Sequence, residues 1–156
     1  MKTDKFLIGI VVGIVLLVIV AVVVVLARGQ NEEYMADDTP EGVAHNYFLA
    51  IQRKEFEKAY GYLSDEIEAK PNLDEFIASV DSQNETALKL GQATIDNDRA
   101  RVEIAITNYY GGGPFDNGRY TSQETAYLRQ DASGNWKIFE FPYPYWGYWN
   151  EKLDFN

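Results

Sequence analysis

Cysteine is missing from this chain of 156 residues, and histidine occurs once, at His45. Without cysteine there is no disulfide, no thiolate nucleophile, no sulfur-ligated metal site and no lipoprotein signal. Small secreted domains often rely on disulfides, so this one has to be held by its apolar core. The G-x-S-x-G elbow, the P-loop, H-E-x-x-H and the nucleotide-binding glycine fingerprint are all absent, as are long internal repeats. Positive charge is scarce: 14 Lys and Arg stand against 24 Asp and Glu, a formal net charge of −10. An acidic chain repels nucleic acid and anionic headgroups, so neither is expected as a partner.

What the chain does have is one long apolar run, Phe6 to Ala27, without charge or proline. In a helix its 22 residues reach about 33 Å, close to the roughly 30 Å of a hydrocarbon core. The expectation is an uncleaved single-pass anchor spanning the bilayer through residues 6–27, with a cleaved signal peptide ending near Ala27 as the alternative. Lys2 and Lys5 precede the run and Arg28 follows it, before Glu32, Glu33, Asp37 and Asp38. The positive-inside rule then places the N-terminus in the cytoplasm and the C-terminal domain outside the cell membrane. Gly9 and Gly13 form a G-x-x-x-G on which two such helices pair, a route to a homodimer. Asn84-Glu85-Thr86 is a glycosylation sequon in hosts that glycosylate.

Residues 1–28 thus read as a stub and anchor, and residues 29–38, polar and acidic, as a linker. From Pro40 there are 117 residues, enough for one core. Thr39, Pro40 and Glu41 open a helix, and Val43, Ala44, Tyr47, Phe48 and Ile51 form its apolar stripe. Phe56, Ala59, Tyr60 and Leu63 make a second helix. Asn72 and Glu75 resemble a capping box before a third stripe of Leu73, Phe76, Ile77 and Val80. The period then changes. Strands are expected over 87–95, 100–109, 120–130 and 136–141, separated by Asp96-Asn97-Asp98, a glycine-rich loop with Asp116-Asn117-Gly118, and Asp131 to Asn135. Helices followed by an antiparallel meander predict an α+β domain.

The segments Ala44 to Ile51, Phe56 to Ser64, Asp98 to Val102 and Asp131 to Ile138 carry a resemblance at this point. Over residues 39–141 the chain resembles the nuclear transport factor 2-like superfamily, in particular its small membrane-anchored extracytoplasmic members. The closing Ser-Gly-Asn-Trp departs from the Asp-Gly-x-Trp of that pattern. The resemblance implies a cone-like domain of about three helices on a curved antiparallel sheet, with a cavity in which some members catalyse, some bind and some only dimerise.

Candidate chemistry is thin. His45 and Tyr109 are the candidates for catalysis, as a general base and as an oxyanion donor. Tyr110 lies beside Tyr109. Asp96 and Asp98, like Asp116, read as turn residues, so neither a metal nor a cofactor is expected. Residues 142–156 form an aromatic tail, and Phe141 to Trp149 hold six aromatics interrupted by Pro142 and Pro144. Tyr47, Tyr60, Tyr109, Trp136, Tyr145, Trp146 and Trp149 are the residues expected to line a cavity or to offer a surface. The expected role is a non-catalytic, membrane-anchored binding or interaction module for a small apolar ligand or an envelope partner. A cavity enzyme of isomerase or dehydratase type and a purely structural dimer are the alternatives.

Overall fold

The computed structural model describes residues 5–28, 32–81, 86–109, 118–147 and 149. The chain divides into two units, Met1–Glu33 and Tyr34–Asn156. The first holds helix α1, Lys5–Arg28. Its described side chains, residues 9–22, are exposed on every side. Gly9 and Gly13 have no atom within 4 Å of where a side chain would begin.

The expected single-pass anchor is corrected here. Among the described residues, no helix is long and apolar enough to cross a membrane. The transmembrane helix in the expected fold class falls with it. So do the cell-membrane localisation and the extracytoplasmic placement of the second unit, which rested on the same run.

The second unit is α+β. Helices α2 (Pro40–Gln52), α3 (Phe56–Gly61) and α4 (Leu73–Val80) precede strands β1 (Thr86–Asp96), β2 (Arg99–Tyr109), β3 (Arg119–Gln130) and β4 (Trp136–Glu140). The strands form one antiparallel sheet in the order β1-β2-β3-β4. Thr39 caps α2, accepting from the Gly42 N–H at 3.1 Å, with Pro40 in the first turn. Asn72 and Glu75 close a reciprocal capping box on α4. Asn97, at φ 56°, turns β1 into β2. Asp131 accepts from the N–H groups of Ser133 and Asn135, both at 2.9 Å, and Gly134 takes φ 83° to close the β3–β4 turn.

Alternation decides the faces. Ala100, Val102, Ile104 and Ile106 of β2 are buried beneath the helices, while Arg99, Arg101, Glu103 and Tyr109 point the other way and are exposed. The core joins this face to Val43, Tyr47 and Phe48 of α2, to Phe76 and Val80 of α4, and to Phe141, Tyr145 and Trp146. Burying each such aromatic or aliphatic side chain contributes about 1.5–3 kcal/mol.

Two further devices set the frame. The segment ahead of α2 is held by Asn46, only 1 % exposed. Its side chain accepts from the Met35 N–H at 2.8 Å and donates to the Met35 carbonyl at 2.7 Å and to Asp37 at 2.5 Å. Gly42 admits that crossing, because a Cβ there would run into the Ala36 carbonyl. On the outer strand, β1 bulges between Leu90 and Ala93, and the Ala93 N–H donates to Glu41 at 3.2 Å. A bulge with its donor occupied blunts an edge that would otherwise invite another strand.

Candidate functional site

Three of the seven aromatics expected at a cavity or surface meet around Phe76, and three more lie in the same core. Tyr47, Tyr60 and Trp149 lie with ring centroids 6.3, 5.6 and 5.8 Å from Phe76. Trp146 packs on Trp149 at 4.6 Å, and Tyr145 sits edge-on to Phe48 at 4.9 Å. Trp136 is buried in the same core. Tyr47 lies across Phe141 at 4.8 Å, and its hydroxyl donates to the Tyr145 carbonyl at 2.7 Å. The Tyr60 hydroxyl donates to the Pro71 carbonyl at 2.8 Å, and the Trp149 carbonyl accepts from the Ala69 N–H at 3.3 Å. The Tyr47 and Tyr60 hydroxyls are thus satisfied by backbone carbonyls. Phe76, the centre of the group, appears in the sequence only as one member of a helical stripe.

Tyr109 is separate. It stands 49 % exposed at the end of β2, on the sheet face turned away from the helices, opposite Arg119. His45 is half-buried on α2, on the helical side of the sheet. The fold therefore does not join these two candidate catalytic groups. Asp96 and Asp98 flank the Asn97 turn, and Asp96 accepts from the Asn97 amide at 3.1 Å. Among the described residues no cluster of three His, Asp or Glu is placed to hold a metal ion. Tyr110, Asp116 and Tyr148 lie outside the described residues.

Two surface depressions lie among the described residues. One, of about 330 Å³, is lined by Asp37, Lys58, Tyr62 and Lys137 among others. Its polar groups are mutually occupied: the Tyr62 hydroxyl donates to Asp37 at 3.1 Å, and Lys137 donates to the Gly61 carbonyl at 2.8 Å. Burial, and then the Asp37 charge beside it, push the Tyr62 hydroxyl up to about 12.

The other depression, of about 350 Å³, lies on the open face of the sheet. Arg99, Arg101, Tyr127, Arg129 and Phe139 line it, together with Asp96 and Glu140. Arg99 is the direct cross-strand partner of Arg129, and Arg101 that of Tyr127. The Arg129 guanidinium lies 3.7 Å above the Phe139 ring and donates to Glu66 at 2.9 Å. The sequence signal for this site was Arg-x-Arg at positions 99 and 101, alternating with buried residues. The register that brings Arg129 beside Arg99 is not visible in one strand.

An antiparallel meander with a helical layer on one face and an open second face defines the class. No family model matches the chain, and no curated protein matches it. Solved structures do. The chain is similar to a SEC-C motif containing protein from Rhodopseudomonas palustris, with TM-score 0.51, 18 % identity, and coverage of 68 % of this chain and 79 % of that one. It is also similar to a SEC-C motif containing protein from Psychrobacter arcticus, with TM-score 0.50, 14 % identity and coverage of 72 % of this chain. Of that second protein the chain spans 65 %. At such identities the likeness concerns the fold alone. The resemblance to the nuclear transport factor 2-like superfamily is corrected by these neighbours. Its motifs were short amphipathic stretches and a turn before a tryptophan, which any helix-then-meander domain can carry.

Proposed function

We propose that the unit beyond Tyr34 is a non-catalytic binding or interaction module that works through its surface. One observation carries this reading: Tyr47, Tyr60 and Trp149, expected at a ligand cavity, pack ring against ring around Phe76, and the Tyr47 and Tyr60 hydroxyls are bonded to backbone carbonyls. The separation of His45 from Tyr109 across the sheet supports a non-catalytic role, because general acid–base work needs its groups within hydrogen-bond reach of one substrate. The polar character of the open face, with Arg99, Arg101, Glu103 and Arg129 on it, argues against a purely structural dimer built on a flat apolar sheet.

Native mass spectrometry of the purified chain tests the reading. The expected mass is that of the polypeptide without a co-purified apolar molecule. A stoichiometric apolar ligand whose removal changes the fluorescence of Trp136 and Trp146 would overturn it.

A further inference from the structure

We infer that the depression at Arg99, Arg101 and Arg129 is a binding site for a small organic oxyanion, a phosphate or carboxylate carried on a flat apolar body. The inference rests on the surface-module reading and names the ligand class for it.

The charge distribution is the first argument. By register every Lys and Arg of the four strands falls on the open face, Lys89, Arg99, Arg101, Arg119, Arg129 and Lys137, although the Lys137 ammonium reaches the Gly61 carbonyl and lines the other depression. The register puts Asp96, Glu103 and Glu140 there as acidic partners, half as many, in a chain whose net charge is −10. Basic charge is therefore concentrated on one surface of an acidic protein.

The second argument is the cost of the arrangement. Like charges directly opposite on neighbouring strands destabilise a sheet, and Arg99 faces Arg129 on β3, with Asp96 as its direct partner on β1. Arg129 is neutralised by Glu66, whereas Arg99 and Arg101 enter no ion pair among the described residues. An oxyanion seated between them would offset the repulsion with charge-assisted hydrogen bonds, for which the planar guanidinium fork is suited.

The third argument is shape. Same-face neighbours along a strand lie about 7 Å apart and direct cross-strand partners about 5 Å apart, so Arg99, Arg101, Tyr127 and Arg129 frame a patch of small-molecule size. A volume of about 350 Å³ fits the same scale. Arg129, stacked on Phe139 and tied to Glu66, is already fixed in place. Tyr127, 41 % exposed, offers a ring for a flat body. Asp96 and Glu140 in the lining, with the acidic charge of the whole chain, select against polyanions.

The test is a titration of the full chain with phenyl phosphate, benzoate and inorganic phosphate, followed by the arginine Nε–H and tyrosine ring signals in NMR. Saturable binding of phenyl phosphate or benzoate is expected, with shifts at Arg99, Arg101 and Tyr127, and the tighter of the two identifies the oxyanion. Inorganic phosphate is expected to bind more weakly. Arg99→Gln and Arg101→Gln, both exposed and free of core contacts, should each weaken binding about tenfold or more. Arg119→Gln, further along the same face, should leave it unchanged. No saturable binding by either organic anion, or an equal loss in Arg119→Gln, would overturn the site. Either result leaves the surface-module reading intact, because that reading is tested by what the interior holds.

Discussion

The Tyr47 hydroxyl donates to the Tyr145 carbonyl at 2.7 Å across 98 residues of chain, joining the first helix of the second unit to the aromatic tail. Both residues are buried. Tyr47→Phe keeps the ring and removes the donor, leaving a buried carbonyl without it. The expected loss is about 1–3 kcal/mol of unfolding free energy in urea titration. An unchanged midpoint and slope would mean that this bond does not hold the tail.

Asn46 makes three hydrogen bonds to Met35 and Asp37 from a buried position. Asn46→Leu conserves bulk but leaves the Met35 N–H and carbonyl to find water. A loss of about 2–4 kcal/mol is expected, with faster proteolysis at residues 34–38 than elsewhere in the unit. Asn46→Asp should be as damaging, since it deletes the amide donor and sets a second carboxylate beside Asp37. Retained stability in Asn46→Asp would contradict this account.

Alkali should unfold the domain over a defined window. Burial pushes the Tyr145 hydroxyl up to about 12, and burial with the Asp37 charge does the same at Tyr62. Burial also holds Tyr47 well above its ordinary value of 10. In the unfolded chain these phenols ionise near 10. Between 10 and 12 the unfolded state therefore binds fewer protons than the native one, and stability falls as pH rises. Below 10 these groups should cause no change. Urea midpoints measured from pH 9 to 12 check the sign, and Tyr62→Phe should flatten the slope. A midpoint that rises above pH 10 would refute it.

Local chemistry made much of this fold legible. Thr39 and the Asn72–Glu75 pair mark helix starts because caps are written within four residues. Val102, Ile104 and Ile106 mark a strand and its buried face because period 2 is local too. What could not be read depends on distant partners. Residues 34–38 show no periodicity, yet single long-range bonds to Asn46, Tyr62 and Glu55 hold them. The aromatics of the tail announced themselves by composition, but that Phe76 would gather them required the tertiary fold. The length of the apolar run and its flanking charges made residues 6–27 read as a span, whereas among the described residues no helix is long and apolar enough to cross a membrane. The oxyanion site was the least visible. Arg99 and Arg129 are thirty positions apart, and only the strand register makes them neighbours.

The β1 bulge offers a test of packing at a single atom. Gly91 sits where the register shifts, and a Cβ built there would lie 2.8 Å from the Glu103 Cβ and 3.2 Å from the Glu103 carbonyl oxygen. Neither is the free end of a flexible side chain, so one strand has to move. Gly91→Ala is expected to cost about 1–3 kcal/mol. Glu103→Gly removes the nearer atom, so in the double variant the Gly91→Ala penalty should shrink, while the contact with the carbonyl keeps part of it. The reading is a double-mutant cycle in urea: a coupling above about 0.5 kcal/mol is expected for residues in contact. Additive effects would show that the space beside Glu103 is not what selects the glycine.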